Sequence, residues 1–84
     1  MDSSSRPYVE QFPIGTRVRV ADRGQLERFR AKWHYHHPLA PDQLLYAGHE
    51  ALVRQVSFYH GGDALYVLDG ISGVWHEQCL VRVP

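Results

Sequence analysis

Polar and apolar residues alternate along Arg17-Val18-Arg19-Val20, the period-two pattern of a half-buried strand with the valines facing one way and the arginines the other. Pro13 and Gly15 mark a turn leading into it. From Asp22 the period changes. Leu26, Phe29 and Trp33 recur at spacings of three and four, which predicts an amphipathic helix. Asp22 is placed to cap it, with Gln25 three positions later as the partner in a capping box. Pro38 stops the pattern and biases His37 towards extended backbone. A second short helical turn is expected from Pro41 through Tyr46, with Gly48 just past its end. Beyond it the chain reads as strands: Glu50 to Tyr59, Ala64 to Leu68, Val74 to His76, and Leu80 to Val83. His60-Gly61-Gly62-Asp63 is a turn between the first two of these. Asp69-Gly70 is a hairpin signal, which Gly73 lengthens to a longer loop. Glu77-Gln78-Cys79 fits one tight turn.

This order, a strand, a long excursion, a three-stranded meander, a tight turn and a final strand, predicts a mainly β fold. The architecture expected is a small five-stranded SH3-like barrel with a helical insertion (about residues 22–46) between the first and second strands. In such barrels the last strand returns to the first and the sheet closes, which removes exposed edges. Residues 12–84 are expected to form a single SH3-like domain, preceded by a flexible N-terminal arm over residues 1–11.

Composition narrows the function. With 84 residues there is room for one core and no cleft between domains. Nine Lys and Arg balance nine Asp and Glu, which argues against nucleic-acid binding driven by overall charge. No apolar run approaches a membrane span, and the first residues lack the pattern of a signal peptide, so a cytoplasmic protein without membrane contact is expected. A single cysteine excludes an internal disulfide. The balanced total hides an asymmetry. Six basic and two acidic residues lie between Arg17 and His37, whereas the chain from Pro38 onward is acidic. Eight of the nine cations are arginine, the side chain suited to carboxylates and phosphates.

Six histidines invite a metal hypothesis. His34, His36, His76 and Cys79 are the candidate ligands, with His76 and Cys79 at a tolerable spacing, as in a metallochaperone. Against it, a thiolate-rich zinc site needs more than one cysteine, and no bound cofactor is expected. Cys79 with His76 as its base would also be the one nucleophilic pair, but a lone cysteine beside Leu80 suits a barrel interior better. Glu77 and His76 are adjacent and point to opposite faces. A small enzyme with its site at a symmetry axis would need a pore motif that is absent. The aromatic residues are the stronger lead. Trp33, Tyr35, Tyr59, Tyr66 and Trp75 exceed what one small core hides, although Trp33 and Trp75 both fall where packing would use them. The expected function is a non-catalytic interaction or accessory module. It would meet a protein partner, or a second copy of itself, through Arg23, Arg28, Arg30 and Lys32 together with Tyr35 and Tyr59.

Several segments resemble one known family. Ile14-Gly15-Thr16-Arg17-Val18-Arg19-Val20, Tyr46-Ala47-Gly48-His49-Glu50-Ala51-Leu52-Val53, Tyr66-Val67, and Trp75-His76-Glu77 with Leu80 are similar to the SH3-like domain of nitrile hydratase β subunits and their small accessory proteins. The similarity spans residues 12 to 83. In that family the catalytic metal lies in the partner α subunit, in a Cys-x-x-Cys-Ser-Cys motif that this chain lacks. The resemblance therefore implies an accessory, partner-binding role with no catalytic residue here.

Overall fold

A computed structural model describes residues 10–59 and 62–84. Strand β1 (Arg17–Val20) leads to helix α1 (Arg23–Lys32) and a 3-10 helix (Pro41–Tyr46). Strands β2 (Glu50–Phe58), β3 (Ala64–Leu68) and β4 (Ile71–His76) follow. A second 3-10 helix (Glu77–Cys79) joins β4 to β5 (Leu80–Arg82). The strands form one antiparallel sheet in the order β4-β3-β2-β1-β5. The protein is thus mainly β, and its last strand lies beside its first as expected.

The sheet, however, is open. Its edges are β4 and β5, and closure of a barrel would require them to pair. Two features shape its course, β2 and the second 3-10 helix. Residues 50–52 of β2 pair with β1, while Val53 and residues 55–58 pair with β3. The register shifts between Val53 and Gln55, so one long strand bends and serves both halves of the sheet. The Glu77–Cys79 turn then directs the chain away from β4, and Leu80 comes to rest opposite Val20. Val18, Val20, Val53, Leu68, Tyr66 and Trp75 fill the enclosed space.

The insertion leaves and re-enters at one point. Val20 donates to His49 O and accepts from Gly48 N, at 2.8 and 3.0 Å, so the excursion closes at its base without disturbing β1. Asp22 caps α1 as expected, accepting from Gln25 N at 2.8 Å. The reciprocal half of the capping box is missing, because the Gln25 amide instead donates to Gln78 O at 3.0 Å. Leu26 and Phe29 are buried, and Trp33 follows as the C-cap. No helix among the described residues is long and apolar enough to cross a membrane.

Two local expectations need correction. Asp69-Gly70 makes a two-residue hairpin turn, and Gly73 lies inside β4, not in a longer loop. Gly73 has φ +101°, and the Gln43 side chain sits where its Cβ would be. That amide is buried and engaged at both ends: its oxygen accepts from Ala40 N at 2.8 Å, and its nitrogen donates to Val74 O at 3.1 Å. Gln43 thereby satisfies one carbonyl of β4, an edge strand of the sheet. His37 is not extended but left-handed, at φ 48°. The expected flexible arm falls almost wholly outside the described residues, as do His60 and Gly61 of the expected turn. Gln11 itself is held: its N–H faces the Tyr66 hydroxyl at 3.1 Å and Glu77 Oε2 at 3.0 Å, and its carbonyl accepts from Arg82 at 2.7 Å.

Two glycines separate backbone strain from side-chain crowding. At Gly48, φ is +80° and a Cβ would meet nothing within 4 Å, so Gly48→Ala should cost only the left-handed penalty of about 1–2 kcal/mol. A Cβ at Gly73 would lie 2.7 Å from Gln43 Nε2. Gly73→Ala should therefore lose at least ~1 kcal/mol more in urea unfolding, since it also disturbs a buried amide. Equal losses for the two variants would show that Gln43 gives way freely.

Candidate functional site

The site forms where the insertion meets the ends of β2 and β4. Helix α1 stops at Lys32, and Trp33 turns extended while its N–H still donates to Phe29 O at 2.8 Å. The indole N–H then donates to His36 O at 2.8 Å, curling residues 33–36 into a compact loop. The loop is fastened at two places. His36 stacks on Tyr59, with ring centroids 3.7 Å apart and an interplanar angle of 11°. His76 at the end of β4 is buried and donates from Nε2 to the carbonyl of His37 at 2.8 Å. That bond assigns the His76 proton to Nε2, because a carbonyl only accepts. Trp33 packs against Phe29, stacked at 5.5 Å, and against His76 at 4.9 Å.

Trp33 so placed becomes a shared wall. A cleft of about 280 Å³ lies between α1 and the second 3-10 helix, lined by Gln25, Arg28, Phe29, Lys32, Trp33 and Gln78. A smaller cleft of about 150 Å³ shares Trp33 and Gln78 and adds Asp63, His76 and Glu77. The bond from Gln25 to Gln78 O ties the helix to the turn across the first cleft. An open groove on the opposite flank of α1 is lined by Arg23, Glu27, Arg30, His34, Pro38 and Leu39, among others.

These flanks divide the expected partner surface. Arg23 pairs with Glu27 at 3.0 Å, and Arg30 donates to Leu39 O at 3.3 Å, both on the side of the open groove. Arg28 and Lys32 line the first cleft and have no ion pair among the described residues. Tyr35 is 70% exposed and sits edge-on to Trp33 at 5.1 Å. Tyr59 is 37% exposed, its ring covered on one face by His36. Of the remaining aromatics, Tyr66 and Trp75 are wholly buried.

The four candidate metal ligands are scattered. His36 and His76 are neighbours, with ring centroids 5.6 Å apart, but His34 lines the opposite groove and Cys79 is buried in the core. Among the described residues no group of three or more His, Cys, Asp or Glu side chains is arranged to hold a metal ion. Three residues of the cleft escaped the sequence reading: Gln25, Phe29 as a wall, and Gln78. Helical spacing carried part of the signal, since Gln25, Arg28, Phe29 and Lys32 share one flank at 100° per residue. The contribution of Gln78 depends on a long-range approach that no local pattern announces.

The chain matches no protein-family model, no curated protein and no solved structure. Its chemistry must be read from the geometry. Burial lowers the His76 pKa below its ordinary 6.5, outweighing the His37 carbonyl that favours the charged ring. Burial likewise pushes the Cys79 thiol up to about 12. Tyr66 also rises to about 12, through burial and its hydrogen bond to Glu77.

These shifts set a stability window. As pH falls below 6.5, the unfolded chain protonates His76 before the folded one does, so stability is lost down to the lower folded value. Above 9.0 the unfolded chain loses the Cys79 proton that the folded one keeps to about 12, so stability falls again. Urea midpoints should be flat between these limits and decline on both sides. His76→Asn should flatten the acid limb, and Cys79→Ala should move the onset of the alkaline loss up towards the ordinary tyrosine value of 10.0. An acid limb unchanged in His76→Asn would assign that loss to other groups.

Proposed function

We propose that this protein is a non-catalytic binding module of SH3-like architecture, and that it takes an acidic, extended segment of a protein partner in the cleft beside Trp33. The strand order, the bent second strand and the 3-10 turn before the last strand favour the SH3-like reading, with the sheet left partly open. The observation that carries the binding reading is the lining of the 280 Å³ cleft. Two stacked rings, Phe29 and Trp33, lie beside two cations that have no counter-ion among the described residues. Apolar ring surface gives a segment contact area, and Arg28 with Lys32 selects carboxylates.

A binding role also agrees with the state of the one cysteine. The Cys79 thiol is buried and keeps its proton, and the His76 ring is taken up by the His37 carbonyl. Neither is poised to attack a substrate. An accessory role beside a larger subunit, as the nitrile hydratase resemblance implies, is one form this binding could take. The partner's acidic segment would then belong to that subunit.

The test uses a fluorescein-labelled peptide with glutamates at both ends and an apolar middle. The double variant R28E/K32E should lower its affinity by about tenfold or more, the equivalent of roughly 1.4 kcal/mol. R23E/R30E, on the opposite flank, should stay within about twofold, and added salt should weaken the wild type. Equal losses from the two double variants, or no binding at low salt, would overturn the proposal.

A further inference from the structure

The second cleft has the opposite character from the first, yet the two share Trp33 and Gln78 as walls. A segment laid across Trp33 therefore meets both. At one end stand Arg28 and Lys32. At the other stand Asp63 and Glu77, whose roles differ. Glu77 Oε2 accepts from the Tyr66 hydroxyl and from Gln11 N, so it is part of the scaffold. Asp63 is the available carboxylate: its side chain is 51% exposed, and its ion-pair contact among the described residues is His36 Nε2 at 3.3 Å. That contact is off the hydrogen-bonding direction, since the same buried nitrogen has no hydrogen-bond partner among the described residues. The cleft volume, about 150 Å³, suits the head of one side chain, and the neighbouring indole offers a ring surface that attracts cations.

Resting on the cleft reading above, we infer that the partner segment is bipolar, with an acidic residue over Arg28 and Lys32 and a basic side chain in the cleft between Trp33 and Asp63. The arrangement specifies direction as well as charge. A segment acidic throughout would set a carboxylate against Asp63, and a reversed segment would meet like charge at both ends. Asp63 is thus the residue that discriminates among acidic partners. The backbone bond from Tyr59 N to Asp63 O, at 2.9 Å, is independent of the side chain, so substitution leaves the turn its main-chain tie.

The experiment compares two labelled peptides of equal length at low salt, one with glutamates at one end and lysines at the other, and one with glutamates at both. Wild type should bind the bipolar peptide about fivefold or more tightly, a difference of roughly 1 kcal/mol. Asp63→Lys should invert that preference, and Asp63→Asn should abolish it if the lysine variant fails to fold. R28E/K32E should weaken both peptides. Equal affinity of wild type for the two peptides, or a ratio untouched by Asp63→Lys and Asp63→Asn, overturns the bipolar inference and leaves the cleft reading standing. Failure of wild type to bind either peptide overturns both.

Discussion

Burying the His76 ring nitrogen at the end of β4 without an acceptor would be costly, and here the acceptor arrives from 39 residues earlier in the chain. His76 Nε2–H meets the carbonyl of His37, which takes a left-handed backbone, unusual for a non-glycine residue and especially so before proline. The left-handed conformation costs about 1–2 kcal/mol. Leaving a buried donor unpaired costs about 1–3 kcal/mol, and the same loop also gains the stacking of His36 on Tyr59. The long-range bond wins. Once His37 is fixed, residues 33–36 have little freedom, Trp33 is held against Phe29, and the two clefts exist as defined spaces.

Much of the fold was legible in local patterns. Alternating valines marked β1 with its bounds, Asp22 and Pro41 marked the helical starts, and the Glu77–Cys79 turn was visible as a short break between two strands. What local patterns could not convey was anything set by a distant partner. Gly73 looked like part of a loop because nothing nearby reveals Gln43, thirty residues earlier, lying against it. His37 looked extended because its need to reach His76 is not written beside it. The bend in β2 at Val53 and Gln55 was equally hidden, because the flanking residues read as uninterrupted strand.

The candidate site divides along the same line. Arg28, Lys32 and Tyr35 were recognisable as charge and aromatic surface. Their grouping with Arg23 and Arg30 treated one helix as one face, whereas the ten residues of α1 present cations on two. Histidine abundance pointed towards a metal centre, but His36, His37 and His76 serve the packing of the insertion, through ring contacts and one main-chain acceptor. Aromatic count was informative in a different way. Tyr66 and Trp75 belong to the interior, and the Tyr66 hydroxyl also fastens the segment before β1.

Gln43 has a meaning for the history and engineering of such a chain. Its side chain occupies the flank of β4 that a second molecule could otherwise continue as a sheet. Trimming residues 22–48 to leave a minimal five-stranded unit would strip that guard and expose a template for edge-to-edge polymerisation. The excursion, which looks dispensable from the order of the strands, therefore also screens part of one sheet edge, while β5 forms the other.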